Sequence, residues 1–479
     1  MAERAPIDWR VYRAIALIFL AIKLALFVVA RPFMDETYYW LWGQHLALSY
    51  FDHPPLIGWT SALGSLFGWN IVGLRIVPLL TLVADLLVLR AIAVSRDGQR
   101  WQESFWPMAA LFLTVPIFFA LTNLALPDHL LIFATLLTVY AVMRFRISVE
   151  TGTPQWRFLY LAAAAVGLAT LSKYTGAFLA VGLLLTFLIT PKLRPVLRSP
   201  QLYLSGLLAA AMQAPVLIWN VRNGFASFDF ILGGRSPLRD LSSLTGLSGY
   251  LLGFVFVLSP FMLWPLIRFL AARNDGDLFP RIVFWLSTLA FLAASLFTNI
   301  LIHWNVVAYA AIIPFLHQWL RSRVVLAGHV IYALLIAGFV AFNYVIIPVT
   351  ALTANSDQTS AWSYGWSDVA QDIKRLPGGY DFIATTDYAL AGPLAFALAD
   401  RDVVSLSARR EAFDFWFDPT AHAGQTALIV ADRWRPLTDE IRSQFASVSE
   451  AKLIDVQRYG KSVNSLTIYI ALAYAPSSH

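Results

Sequence analysis

Cysteine is absent from all 479 residues. That excludes a disulfide framework and thiol chemistry, and it leaves the redox compartment undecided. Charge is also scarce. Asp, Glu, Lys and Arg make up 13% of the chain, about half of the roughly 25% usual in soluble domains. The sequence contains no P-loop, no GxGxxG after a strand, no HExxH and no GxSxG, which argues against cytoplasmic nucleotide chemistry. Neither an internal repeat nor a low-complexity tract is visible, and the inverted-repeat signature common in transporters is missing.

What is present is apolar: 58% of residues are hydrophobic and mean hydropathy is +0.63. These residues come in long blocks, as lipid requires of a chain that crosses it. The pI of 9.4 and net charge of +6 do not point to nucleic acid, because the arginines sit in short clusters between apolar runs. The N-terminus MAERAPIDWR precedes the run Ala14 to Ala30, with Val28-Val29-Ala30 loosely like a signal-peptidase site. Because many further runs follow, the first one reads better as a retained span.

About eleven spans are expected, near 12–30, 72–94, 105–120, 124–143, 158–171, 175–190, 202–219, 249–270, 281–300, 304–320 and 324–348. Basic residues then fix an orientation. Arg4, Arg10, Arg13, Arg96, Arg100, Arg144, Arg146, Arg157, Lys192, Arg194, Arg198, Arg268, Arg273, Arg281, Arg321 and Arg323 fall on one side. The other side carries only Arg31, Lys173, Arg222, Arg235 and Arg239. The richer side is the cytoplasmic one, so the N-terminus is cytoplasmic and the C-terminal part lies outside. The expected architecture is mostly α, with a membrane domain over 1–354 and a small periplasmic α/β domain over 355–479. In that domain, strands are expected at Phe382–Thr386, Val403–Leu406, Ala427–Ala431, Ser449–Gln457 and Ser465–Ala471. Helices are expected at Asp368–Leu376, Tyr388–Ala399 and Pro436–Phe445.

The segment after the first span carries the chemistry: RPFMDETYYW, then WLWGQHLALS, then YFDHPP. The Trp-rich middle suits an amphipathic helix lying in the membrane interface. Asp35, Glu36, Asp52 and His53 are thereby held near the outer surface, where ionisable groups are costly and default to function. A pair of solvated acidic residues capping a helix is the plain alternative. Later outward turns add Asn123, Pro127, Asp128 and His129, then Ser172, Lys173 and Tyr174, then Asn299, His303, Trp304 and Asn305. A lone lysine there can simply snorkel, and a lone histidine can be a packing residue. Their agreement is the argument, because a topology drawn from arginines puts all of them on one face. A carboxylate at such a face can act as general base, and a lysine can bind phosphate as a point charge. Together they suit attack by a hydroxyl with departure of a lipid phosphate.

DETYYWLWGQHLALSYFDHPPLIGW closely resembles the first outer loop of the protein O-mannosyltransferase and aminoarabinose (lipid A) transferase superfamily, which has the GT-C fold. LPDHLLIF at 126–133, LSKYTG at 171–176, PVLIWN at 215–220 with ASFDF, and HWNVVAY at 303–309 follow in family order. DYALAGPLAFAL at 387–398 and FDFW at 413–416 resemble the bacterial branch. The resemblance implies a glycosyltransferase using inverting transfer from a polyprenyl-phosphate sugar. By position, Asp35 of the Asp35-Glu36 pair is the implied catalytic base or acceptor-orienting carboxylate. Asp52 and His53 match the pair before proline placed near the donor phosphate, where His53 stands in place of a lysine. Asp128 matches the acid after the third span, Lys173 the phosphate-binding lysine, and His303 the polar residue of the ninth-to-tenth turn. For some relatives the resemblance extends to a divalent metal ion, but Asp52 with His303 would supply two ligands, too few to establish a site.

The stretch 221–248 contains Gly233-Gly234-Arg235. It reads either as a lid bringing Arg235 to the donor phosphate or as a plain connection. Two other function classes remain open. A transporter or flippase of lipid-linked sugars would use charges deep in spans, for which Lys23 and Asp85 are the candidates. A non-catalytic envelope assembly protein would work through its outer domain. The sugar (hexose, aminopentose or uronic acid) and the acceptor (lipid A, a core sugar, another glycan or a protein) are not written in the sequence.

Overall fold

In the computed structural model, residues 7–234, 243–272, 274–353, 357–376 and 379–476 are described. The chain divides into two compact units. One comprises Met1–Ala25, His53–Leu56 and Pro78–Ala337; the other comprises Leu26–Asp52, Ile57–Val77 and Gly338–His479.

The first unit is helical, and its helices sort by how many faces they cover. Val306–Leu316 is apolar all round and every one of its residues is buried, as expected of a helix at the centre of a bundle. Pro127–Glu150 packs along Trp156–Ser172, and Leu278–Ala294 packs on both Ala177–Ile189 and Val306–Leu316. A cluster of Phe145, Phe158, Leu159, Phe187, Leu193 and Val196 closes one end of this bundle. Pro200–Ala211 is the opposite case. Ser205 is its buried residue, while Tyr203, Leu204 and Leu207 are more than half exposed. Apolar side chains turned outward in this way need lipid as their solvent.

Among the described residues, four helices are long and apolar enough to cross a membrane: Trp9–Val29, Ile71–Arg100, Pro127–Glu150 and Arg323–Ile346. The number rises to seven if each bent pair forms one span. Several expected spans are therefore interrupted, and proline accounts for the breaks. The run 105–120 is split at Val115, whose backbone is extended before Pro116 opens a new short helix. A residue preceding proline is pushed out of the helical region, and proline donates no N–H. The expected span 249–270 bends by 85° at the Ser259-Pro260 junction. The run 202–219 bends by 43° between Pro200–Ala211 and Ala214–Arg222. The helix expected at 124–143 begins at Pro127 and continues to Glu150.

The second unit contains a five-stranded sheet of order β2-β1-β3-β5-β4. Its strands are β1 (Phe382–Thr385), β2 (Val404–Ser405), β3 (Ala427–Asp432), β4 (Phe445–Arg458) and β5 (Lys461–Tyr474). β1 lies parallel to β2 and β3, while β5 runs antiparallel to β3 and β4. Central β1 and β3 are buried along their whole length, which explains their unbroken apolar sequences. β4 and β5 run beyond the expected strands at both ends, over Phe445–Val448 and Arg458 and over Lys461–Asn464 and Leu472–Tyr474. They continue to a tight turn at Tyr459-Gly460, where both residues have positive φ, the geometry that matches strand twist in a two-residue hairpin. The helix expected over Pro436–Phe445 is corrected to a single turn, Asp439–Arg442, capped by the Thr438 hydroxyl. Phe445 instead begins β4, paired with Tyr474.

The Trp-rich stretch also differs from expectation. Its helix is Met34–Gln44, and nine of its eleven residues are buried. Trp40, Leu41 and Trp42 are fully covered, so this is not a helix lying half in lipid. It packs on the helix Tyr388–Leu398, and the approach is close. A Cβ on Gly392 would come within 2.7 Å of the Tyr38 backbone nitrogen.

Candidate active site

The adjacent acids Asp35 and Glu36 open the helix Met34–Gln44, where negative charge is favoured by the helix dipole. Their surroundings differ. Glu36 is fully buried and forms a bidentate pair with Arg75, at 2.8 Å from Nε and 2.7 Å from Nη2. It also accepts from the Phe33 backbone N–H at 2.9 Å. Arg75 spends its remaining donors on the carbonyls of Phe27, Ala30 and Arg31, at 3.0–3.1 Å. This geometry supports Glu36 as the clamp that fixes the chain entering the helix. Arg75 was legible only as a charge inside an apolar run.

Asp35 is half-buried and faces a cluster assembled from both ends of the second unit's sequence. Tyr38, one helical turn after Asp35, donates its hydroxyl to Asp52 Oδ2 at 2.5 Å. The Tyr38 ring is held by Tyr388 at 4.9 Å, Trp42 at 5.4 Å and Phe413 at 6.2 Å between centroids. Tyr388 lies within electrostatic range of both Asp35 and Asp52, and burial followed by these two carboxylates pushes its phenol pKa up. Arg409 places its guanidinium 5.4 Å above the Tyr388 ring and 4.0 Å from Asp52 Oδ1. Glu411 is buried beside them. Burial first, and the acids Asp387, Asp414 and Asp52 after it, raise its carboxyl well above the usual range. The FDFW motif completes the packing, with Phe415 at 5.8 Å from Phe51 and Trp416 stacked on His45 at 4.6 Å. Tyr38, Tyr388, Arg409 and Glu411 were not singled out from sequence, although two of them lie inside the DETYYW and DYALAGP motifs.

In the first unit, Asp128 follows Pro127 in the first turn of Pro127–Glu150. Lys173 ends the helix Trp156–Ser172 with extended backbone. The two helices bring them together, and Lys173 Nζ lies 2.7 Å from Asp128 Oδ1 with both side chains buried. Ser172 ties the same ends by donating to the Pro127 carbonyl at 2.5 Å. His303, half-buried on the short helix Ile302–Asn305, is within electrostatic range of Asp128. Its neighbour Asn305 is anchored by Ser287 at 2.6 Å and by Tyr250 and Thr288 at 3.0 Å. Tyr174 pairs with Ser227 through its hydroxyl at 2.9 Å. His129 points elsewhere, with Nδ1 on Thr81 Oγ1 at 2.8 Å. His53 is buried in the same unit.

Asp128, Lys173 and His303 are thus grouped in one unit, and Asp35 and Asp52 in the other. Arg235 lies outside the described residues. Asp52 and His303 fall in different units, and among the described residues no group of three or more His, Asp or Glu side chains is arranged to hold a metal ion. Lys23 and Asp85 are fully buried. Lys23 donates to the Phe119 carbonyl at 2.7 Å, just after the break at Val115, and lies 5.0 Å from the Phe119 ring.

Known proteins resemble the chain in sequence and in fold. The dolichyl-phosphate-mannose-protein mannosyltransferase family model matches residues 52–219. The lipid A galacturonosyltransferase RgtD of Rhizobium johnstonii is 26% identical over 404 residues, covering 77% of this chain and 78% of the relative. The fold is that of ArnT from Cupriavidus metallidurans. The apo structure superimposes with a TM-score of 0.63 at 14% identity, and the complex with undecaprenyl phosphate with 0.61 at 15%. Each alignment covers 94% of this chain and 97% of the other. The chain thus has an ArnT-like fold with several helices long and apolar enough to cross a membrane, and it is similar in sequence to glycosyltransferases.

Proposed function

We propose that the protein transfers a sugar from a polyprenyl-phosphate donor to a hydroxyl of lipid A at the periplasmic face of a bacterial inner membrane. The observation that carries this reading is the alignment with a lipid A galacturonosyltransferase over 77% of the chain. The membrane part, 1–354, binds the donor, and 355–479 is the periplasmic domain. Arginine-rich loops, and with them the N-terminus, lie in the cytoplasm.

In this reading the acceptor oxygen attacks the anomeric carbon from the face opposite the phosphate. The new C–O bond forms as the anomeric C–O bond to phosphate breaks, the configuration inverts, and polyprenyl phosphate leaves with the electron pair. Asp35 takes the acceptor proton, the role expected of a positioned carboxylate. Lys173, held by Asp128, offsets charge that grows on the leaving phosphate. His53, Tyr174 and His303, in the same unit as Lys173, serve the donor in this reading. Lys23 does not favour the transporter alternative, because its ammonium is engaged by the carbonyls of a broken helix.

The test is a donor panel. Purified protein in lipid nanodiscs receives polyprenyl-phosphate hexose, aminopentose or uronic acid, with lipid A or a lipid A–core acceptor. Mass spectrometry is expected to find one sugar added to lipid A from one donor class. Donor movement across vesicles without any glycosylated product would contradict the proposal.

A further inference from the structure

The residues around Asp52 come from two distant stretches of one compact unit. Tyr38 and Asp52 belong to the first outer loop, whereas Tyr388, Arg409 and Glu411 belong to the C-terminal domain. The contacts are specific: a 2.5 Å Tyr38–Asp52 hydrogen bond, a Tyr388 ring 4.9 Å from that of Tyr38, and an Arg409 guanidinium 4.0 Å from Asp52. Tyr388, Asp52, Glu411 and Tyr38 are among the groups that act electrostatically on Arg409. The loop bearing Arg409 follows β2, and Ser407 Oγ accepts from its backbone N–H at 3.1 Å.

We propose that Arg409 and Tyr388 are positioning residues of the transfer site, through which the C-terminal domain holds Asp52 ionised and oriented. The proposal rests on the glycosyl-transfer reading above. Asp52 stands among like charges, since Asp35 and Asp52 both act on Tyr388 and Glu411 lies nearby. Crowded acids favour protonation of one member, and an adjacent cation opposes it. Arg409 is a cation within 4.0 Å of Asp52, and the Tyr38 hydroxyl donates to the Asp52 carboxylate. The Tyr388 ring that packs against Tyr38 also carries Arg409 on its face. The C-terminal domain therefore contributes to the chemistry, in addition to any role in acceptor docking.

The experiment compares full-length wild type with Arg409→Gln, Arg409→Lys and Tyr388→Leu, with Arg401→Gln as a surface control. Transfer is measured against pH, and kcat and donor KM are taken separately. Arg409→Gln is expected to lower kcat about tenfold and to move the acid limb up by about one pH unit. Donor KM should stay within about twofold, as for an effect on the transition state rather than on ground-state binding. Arg409→Lys should recover most of both effects. An unchanged pH profile, or a lysine variant as impaired as the glutamine variant, would overturn the proposal. Isotope-edited infrared titration of the Asp52 carboxylate, assigned by subtracting Asp52→Asn, needs no substrate. Should wild type transfer nothing, the functional reading fails while the infrared titration still decides whether Arg409 controls Asp52.

Discussion

Two buried acid–base pairs, one in each compact unit, are built to different ends. Glu36–Arg75 is saturated: five guanidinium donors meet five acceptors, two carboxylate oxygens and three backbone carbonyls. Asp128–Lys173 joins the ends of two helices through one ammonium at 2.7 Å. Arginine presents a rigid fork that locks geometry, whereas a lysine ammonium is a point charge on a flexible stem that can turn toward an arriving phosphate. The first pair therefore reads as architecture. The second keeps a cation at a helix junction, where charge can serve a ligand.

The sharpest way to break this distinction is to neutralise one partner of each pair. Arg75→Met strands Glu36 in a fully buried site, and losing one partner of such a pair costs about 3–5 kcal/mol. A large drop in thermal stability and membrane yield is expected, and a normal melting temperature would refute the clamp. Lys173→Met should instead weaken binding of polyprenyl phosphate by about 10–100-fold, or roughly 1.4–2.8 kcal/mol. Binding can be followed by competition with labelled donor. If Lys173→Met binds normally but melts as early as Arg75→Met, the two pairs are of one kind.

Smaller effects sharpen the account of the second unit. Gly392→Ala forces a methyl against the Tyr38 backbone and should cost about 1–3 kcal/mol, as overpacking does. Thermal denaturation would measure it, and full stability would show that the two helices have room to separate. Glu411 gives the smallest, pH-dependent effect. Because its folded-state pKa is raised by burial, its contribution is fully present below the usual carboxylate range and is lost as pH rises. Glu411→Gln should therefore match wild type near pH 4 and gain relative stability toward pH 8, measured by melting temperature across that range. An advantage that does not grow with pH would mean that the carboxyl ionises without cost in the folded protein.

The same contrast explains what the sequence revealed. Apolar blocks and arginine spacing reported lipid and a helical fold, because burial and charge placement repeat along the chain. The parallel strands β1 and β3 were legible as short apolar runs for the same reason. The ends of β4 and β5 were not, since they are held by pairing with each other, from Phe445–Tyr474 to Arg458–Lys461, rather than marked by one apolar run. Prolines at 116 and 260 were visible, but whether they kink or end a span depends on packing. Asp35, Asp52, Asp128 and Lys173 stood out by residue type and motif. Arg75 and Arg409 did not, because their meaning lies in partners 39 and 357 positions away in the chain.

The most direct measurement of the central claim is a single-turnover assay on purified wild type and Asp35→Asn, matched for melting temperature. It follows labelled sugar appearing on lipid A and polyprenyl phosphate released in the same reaction. Wild type should give the two products in equal amounts, and Asp35→Asn should slow both by about 10²–10⁴-fold, the range for a lost general base. Equal rates from the two proteins would contradict the account.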